Sequence, residues 1–212
     1  MAYYPIFVEM AGRKALVVGG GKIAHDKVRG LLAGGAAVTV VAPKLSPDLQ
    51  AMARDGRIQH QAHAYQDGDL QGFEVCFVAT DDGAVNAAVA AEGRRKGIWV
   101  NAADDPANCD FILPAVLRQG DVIVAASTGG ASPALARRLR EDLTAFLSED
   151  YAPLADLLRD VRGEVRERKL SIEADRWQSA IDGRFRALVA QRRIEEARAY
   201  LRNGLGIGET EK

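Results

Sequence analysis

An apolar run, Ala15-Leu16-Val17-Val18, ends in three consecutive glycines, Gly19-Gly20-Gly21, and the chain continues as Lys22-Ile23-Ala24-His25-Asp26-Lys27-Val28. No other feature restricts the fold as strongly. A short continuous apolar run suits a strand buried on both faces, and the residues after the glycines read as a helix. Gly19, Gly21 and Ala24 fill the three small positions of the G-x-G-x-x-G/A pattern that links strand to helix in dinucleotide-binding folds. Gly19 permits the tight turn, Gly21 lets the backbone approach a pyrophosphate, and Ala24 lets the helix pack close to the strand. The helix opening at Lys22 offers unpaired N–H groups and a positive dipole end to phosphates. A glycine turn of some other α/β fold would explain the glycines alone. The helix after them and a second strand at residues 38–41 close a βαβ unit and favour a nucleotide.

The pattern continues as a doubly wound α/β fold. Residues 15–18, 38–41, 75–79 and 98–100 read as parallel strands, with 58–63 a weaker candidate. Ser46-Pro47 reads as an N-cap followed by proline at the first helical position, and Gly56 ends that helix. From about residue 113 the register changes. Residues 115–117 and 122–126 flank Gln119-Gly120-Asp121 and suit a hairpin. Ser132-Pro133 starts a helix reaching residue 147. Residues 151–201 read almost entirely as helix, with Ser171 as N-cap, Gly204 as the stop and residues 206–212 as a frayed tail.

The 212 residues suffice for one substantial core with a smaller appendage. Their net charge of −1 gives no reason to expect nucleic acid or an anionic membrane as partner. No charged-then-apolar leader and no long apolar run occur, and Cys76 and Cys109 lack Cys-x-x-Cys spacing. A cytoplasmic, reducing setting without a zinc site is the expectation, with Cys76 an inert core thiol. His60 and His63 stand three apart in a strand candidate and make a poor metal pair. His25 receives no role.

Candidate chemistry collects after the strands, where open α/β sheets bind ligands. The second strand runs into Ala42-Pro43-Lys44 without the usual ribose-binding acid. Pro43 and Lys44 would line the adenosine site, and Lys44 leaves NAD and NADP both open. Thr80 and Asp81 follow the next strand, where ribose or nicotinamide would lie; Asp81 and Asp82 also suit a cap for a helix starting near Ala84. Asn101 and Asp104 follow the last strand. A positioned carboxylate there can act as a general base, worth ~10²–10⁴ in rate, although Asp-Asp-Pro also suits an Asx turn. Ser127-Thr128-Gly129-Gly130-Ala131-Ser132-Pro133 leads into a helix bearing Arg137, Arg138 and Arg140. Its exposed N–H groups would form an anion nest for a polycarboxylate, or the whole is a capped loop with solvated arginines.

Taken together, Pro5-Ile6-Phe7, Leu16 to Gly21, Ala79 to Asp82, Asn101 with Asp104 ahead of Pro106, Phe111 to Pro114 and Gly129 to Pro133 resemble, in order and spacing, the siroheme-synthase amino-terminal module family. The resemblance covers essentially the whole chain and implies a stand-alone form without the methyltransferase half. It implies a Rossmann domain over residues 1–112, a dimerisation segment over 113–147 and a helical domain over 148–212. It further implies NAD bound around Gly21, Lys22, Ile23, Pro43 and Lys44, near Thr80, Asp81 and Asn101, with Asp104 as the catalytic carboxylate. The activity so implied is oxidation of precorrin-2 to sirohydrochlorin, in some members followed by Fe²⁺ insertion, by a homodimer. Thr128 stands where the family often has Ser; with Gly129, Gly130, Ser132 and Arg137 it would grip the tetrapyrrole carboxylates. The competing class is a non-catalytic NAD-sensing module, which leaves Asp104 without a purpose.

Overall fold

The computed structural model describes residues 3–147 and 149–208. Two compact units divide the chain, Met1–Ile112 and Leu113–Lys212. The first contains strands β1 (Lys14–Val18), β2 (Ala37–Val41), β3 (Gln59–Gln61), β4 (Val75–Val78) and β5 (Trp99–Ala102), and helices α1 (Lys22–Ala33), α2 (Pro47–Arg54) and α3 (Gly83–Lys96). The strands form one parallel sheet in the order β3-β2-β1-β4-β5. Chain direction across the sheet reverses between β1 and β4, which places the ligand crevice of such a sheet at their carboxyl ends.

Alternating side chains divide the core between two faces. Ala15, Val17, Val38, Val40 and Phe77 pack with Ala24, Val28 and Leu31 of α1 and Leu49 and Met52 of α2. Leu16, Val18, Val41, Cys76 and Val78 pack with Val89 of α3. Each fully buried Leu or Val contributes about 1.5–3 kcal/mol, so the continuous apolar runs follow from a sheet covered on both sides. The sequence readings hold here with three adjustments. β5 extends to Asn101 and Ala102, which still pair with Phe77 and Val78. β3 shrinks to three exposed residues on the sheet edge. Ser46 occupies the N-cap of α2 but makes no side-chain cap bond, and its buried hydroxyl has no partner.

The second unit holds an antiparallel hairpin, β6 (Ala115–Gln119) and β7 (Val122–Ala126), and helices α4 (Pro133–Phe146), α5 (Tyr151–Glu167), α6 (Ala174–Ala180), α7 (Gly183–Ala190) and α8 (Ile194–Leu205). Ser132 caps α4 by accepting from the Leu135 N–H at 3.2 Å. Leu154, Leu157 and Val161 of α5 meet Phe185 and Val189 of α7 and Ala197, Leu201 and Leu205 of α8 in a separate core. Three expectations fail in this region. Ser171 caps nothing; Glu173 holds the N-cap position of α6. Gly204 lies inside α8, where a Cβ would stand 3.2 Å from the Cβ of Ala180, so its smallness serves packing rather than termination. The stop is Gly206, in the left-handed region at φ 71°. The expected frayed tail is ordered at its start, with Ile207 only 3% exposed in the helical core; residues 209–212 of that expectation lie outside the described residues. No helix of the described residues is long and apolar enough to cross a membrane.

Candidate functional site

The three glycines after β1 do different work. Gly19 has φ 119°, and a Cβ there would meet the Ala79 carbonyl oxygen at 2.3 Å, so the exits of β1 and β4 touch. A Cβ on Gly20 would come within 2.0 Å of the Lys44 carbonyl oxygen. The Ser46 N–H also donates to the Gly20 carbonyl at 2.7 Å, wedging the turn against the chain leaving β2. Gly21 has an ordinary extended φ of −90° and no atom within 4 Å of a Cβ. Nothing within the protein requires glycine there, so its smallness leaves space beside the first turn of α1. That turn contains no acidic residue to neutralise the positive helix end. An open cradle at an uncompensated helix N-terminus fits a dinucleotide pyrophosphate.

Lys22 and Ile23 are exposed beside this cradle, Ile23 at 48%. Pro43 and Lys44 are exposed past β2. The His60 ring donates from Nε2 to the Ala42 carbonyl at 2.9 Å, which uses that nitrogen within the fold. Past β4, Thr80 is half-buried and its Oγ1 accepts the Asp82 N–H at 2.9 Å. Of the two neighbouring aspartates, Asp82 is the cap: its Oδ1 accepts the Ala84 N–H at 2.9 Å and the Val85 N–H at 3.3 Å. Asp81 is exposed.

Asp104 stands in the turn immediately after β5, exposed and in the left-handed region at φ 59°. Asp105 is committed to the fold. Its Oδ2 accepts from the Asn108 amide at 2.8 Å, and its carbonyl accepts from the Cys109 thiol at 3.3 Å. Cys109, whose spacing from Cys76 spoke only against a zinc site and for a reducing setting, ties the turn together. Its Sγ accepts the Ala102 N–H at 3.2 Å and donates toward the Ala102 carbonyl at 3.1 Å. Burial pushes its thiol pKa up, as it does that of Cys76. Asn101 is buried and donates its amide to the Phe111 carbonyl at 2.9 Å, anchoring the chain that returns past the turn. Sequence reasoning also missed Lys27, half-buried on α1. Burial pushes its ammonium pKa down, against the electrostatic pull of Asp104, then Cys109 and Asp26. The available signal was its place three residues after the buried Ala24, on the edge of the helix's apolar stripe.

In the second unit the loop before α4 corrects one expectation. Its N–H groups are mostly consumed internally: Gly129 donates to Ser127 Oγ, Ala131 to the Thr128 carbonyl and Ser132 to Thr128 Oγ1. The Thr128 hydroxyl in turn donates to the Ser132 carbonyl at 3.1 Å. Small residues next to hydroxyls closed the loop on itself rather than leaving a broad nest. Gly129 and Gly130 have no atom within 4 Å of a Cβ. Arg137 is exposed and makes no ion pair among the described residues, whereas Arg138 pairs with Asp142 at 3.0 Å and Arg140 lies 3.9 Å from Glu141.

Comparison with known proteins agrees with these features. A family model described as NAD(P)-binding matches residues 6–115, and one described as sirohaem biosynthesis protein central matches residues 120–145. A siroheme synthase of Methylococcus capsulatus is 41% identical over 203 residues, covering 95% of this chain and 43% of that protein. A siroheme synthase of Photorhabdus laumondii is 38% identical over 207 residues, covering 97% of this chain and 44% of that protein. The chain thus spans less than half the length of these curated relatives. The solved structure of SirC, precorrin-2 dehydrogenase, superposes with a TM-score of 0.74 at 32% identity, covering 93% of this chain and 99% of that one. The chain belongs to the NAD(P)-binding sirohaem-biosynthesis family that contains SirC and the matching part of the siroheme synthases.

Proposed function

We propose that the chain is an NAD-dependent dehydrogenase that oxidises precorrin-2 to sirohydrochlorin. The observation that carries this reading is Asp104, an exposed carboxylate set at the carboxyl edge of a nucleotide-binding sheet. Gly19, Gly21, Lys22 and Ile23 would hold the pyrophosphate, Pro43 and Lys44 the adenosine, and Thr80 and Asp81 the ribose near the nicotinamide. Asn101 would serve the site through the backbone it anchors. When bound, NAD⁺ supplies the hydride acceptor. The substrate loses two hydrogens, one as hydride and one as a proton, and gains one carbon–carbon double bond. Asp104 accepts the proton. The N–H of Gly130 and the exposed guanidinium of Arg137 would grip substrate carboxylates in the space left by the missing side chains of Gly129 and Gly130, on a loop held in shape by the Thr128 and Ser132 hydroxyls.

Two further parts belong to the same proposal. Asp104 could accept pyrrole protons as Fe²⁺ enters sirohydrochlorin, with the iron as substrate. Residues 113–147 would form a homodimer interface ahead of a helical domain over 148–212. α4 has no buried residue and exposes Leu135, Leu139 and Phe146, as expected of a helix covered by a second copy. A reducing, cytoplasmic setting suits two unpaired cysteines.

The test is an anaerobic absorbance assay with precorrin-2 and NAD⁺, followed by Fe²⁺. Parent protein should form sirohydrochlorin and NADH in equal amounts. Asp104→Ala should lose about two to four orders of magnitude with NAD affinity little changed, and Asp105→Ala should stay within a small factor of the parent. Parental turnover by Asp104→Ala removes its role as base. Iron insertion no faster than the spontaneous rate limits the chain to dehydrogenation.

A further inference from the structure

β5 is an edge strand of the five-stranded sheet, with β4 on its inner side. An edge usually leaves its outward N–H and C=O groups to water or to another chain. Here the chain returns along the edge and pairs it. The Val100 N–H donates to Asp110 Oδ2 at 2.8 Å, and the Asp110 N–H donates to the Val100 carbonyl at 2.8 Å. At Ala102, the next outward-facing residue, a sulfur makes the same exchange. Cys109 Sγ accepts the Ala102 N–H at 3.2 Å and lies 3.1 Å from the Ala102 carbonyl and 3.3 Å from the Asp105 carbonyl. Its single thiol hydrogen is shared by carbonyls on either side of Asp104. On the inner side the Ala103 N–H is held by the Val78 carbonyl at 2.9 Å, and the Asp105 N–H reaches back to the Ala102 carbonyl at 3.4 Å. The returning chain is itself fixed, because Phe111 accepts the Asn101 amide at 2.9 Å and its ring meets Phe77 edge-on at 5.6 Å. Asp104 stands at the tip of this closed loop at φ 59°, a conformation that a non-glycine residue keeps only where its surroundings impose it.

We propose that Cys109 is a positioning residue for the candidate base: its thiol clamps the backbone before and after Asp104 and so holds that residue in its left-handed setting at the carboxyl edge of the sheet. The clamp stands on the geometry alone; its consequence in catalysis rests on the dehydrogenase reading. A thiol is suited to the task because it is a weak acceptor and a weak donor at once. Burial keeps it protonated at neutral pH, which the donor half of the clamp requires. Alanine at this position would leave the Ala102 N–H without its partner and free the Asp105 carbonyl. The turn could then relax toward the commoner right-handed conformation and swing the carboxylate off its aim. Serine keeps both a donor and an acceptor, on a shorter bond.

Two measurements test the clamp and its consequence separately. In the free protein, amide hydrogen exchange read by NMR should quicken by about tenfold at Ala102 in Cys109→Ala, with Val17 in the middle of the sheet unchanged. An Ala102 amide that still exchanges at the parental rate overturns the clamp whatever the protein catalyses. The second measurement is kcat and KM for precorrin-2 oxidation in parent, Cys109→Ala, Cys109→Ser, Asp104→Asn and the double variant Cys109→Ala with Asp104→Asn, at a temperature where melting curves show each one folded. Cys109→Ala should lower kcat on the order of tenfold, the cost of a misaimed catalytic group, with KM and NAD affinity little changed. Cys109→Ser should restore most of the loss. In the Asp104→Asn background Cys109→Ala should have no further effect, because no base remains to aim. A serine variant as slow as the alanine one, a loss that persists beside Asp104→Asn, or weakened NAD binding would make Cys109 a packing residue of the unit, and any of these overturns the inference. Quickened exchange at Ala102 in a protein whose parent turns over no precorrin-2 refutes the dehydrogenase reading and the catalytic half of the inference with it, and supports the clamp.

Discussion

Residues 1–112 bury both faces of a five-stranded sheet. Among the described residues of 113–212 the core is closed by α5 to α8 with Ile207, and β6, β7 and α4 contain no buried residue. The first unit is complete as a packed body, and its functional groups are the loops its strands deliver at one edge. The second holds a satisfied helical cluster beside a hairpin and helix whose apolar side chains stay uncovered. A self-sufficient core and an unfinished one respond differently to substitution. Bulk added to the first should damage the fold, whereas charge added to α4 of the second should change association and leave the fold intact.

The glycine turn gives the largest contrast. Gly20→Ala drives a methyl into the Lys44 carbonyl and should cost about 3 kcal/mol in urea unfolding, with loss of NAD binding as a consequence. Gly21→Asp meets no protein atom, so stability should stay within about 0.5 kcal/mol. NAD binding, read by calorimetry, should nevertheless be largely abolished, because a carboxylate would then sit at the helix end meant for phosphate. Equal destabilisation by both would erase the distinction between packing glycine and ligand glycine.

Glu92 gives the next effect. It is buried on α3, bonded by the Tyr65 hydroxyl and 2.6 Å from the Lys96 ammonium. Burial works to raise its pKa, but the bonds from Lys96 and Tyr65 prevail and hold it below the usual range. Its stabilisation is therefore present at neutral pH and is lost as pH falls from the ordinary glutamate value through the lower folded one. Glu92→Gln should cost about 3 kcal/mol at pH 7, the low end for a broken buried pair because Lys96 is 33% exposed. The acid limb of the stability curve should flatten with it. No such acid-dependent difference should follow from any substitution on the exposed face of α4.

For the second unit, Leu139→Glu should leave the circular dichroism and melting of the helices unchanged while shifting the sedimenting species from dimer to monomer. A parent protein that is already monomeric at micromolar concentration removes the dimer proposal. The smallest effect is expected at Asp82→Ala, which deletes one cap of α3 and should cost about 1 kcal/mol without altering NAD affinity.

The difference between the units also explains what the sequence made legible. Strands buried on both faces are written as continuous apolar runs, and the glycine pattern marks the switch point, so the sheet and its edge were readable apart from the ends of β4 and β5 and the short, exposed β3. The helical half was read as nearly continuous because its breaks carry no glycine or proline. Lys169 at φ 51° and Arg192 at φ 60° end their helices in the left-handed conformation that glycine usually supplies, and the next N–H in each case, of Leu170 and Arg193, donates back to the Val165 and Leu188 carbonyls. In the site, the position of Asp104 directly after a strand was readable, while its proposed role came from the family resemblance, since the same spacing also suits an Asx turn. Cys109 was not readable, since its bonds to the Asp104 turn depend on a return of the chain that Phe111 and Phe77 establish only in three dimensions.

The left-handed backbone at Asp104 has a consequence for selection. Glycine or asparagine would occupy that conformation as readily as aspartate, and most other residues would strain it by roughly 1–2 kcal/mol. The fold therefore constrains this position to a small set of residues without distinguishing among them, and under the proposed role of Asp104 the carboxylate is chosen by chemistry alone. A lineage that lost the reaction would be free to drift to glycine or asparagine here with its architecture intact. The residue at this one turn would then separate working copies from retired ones better than overall identity could.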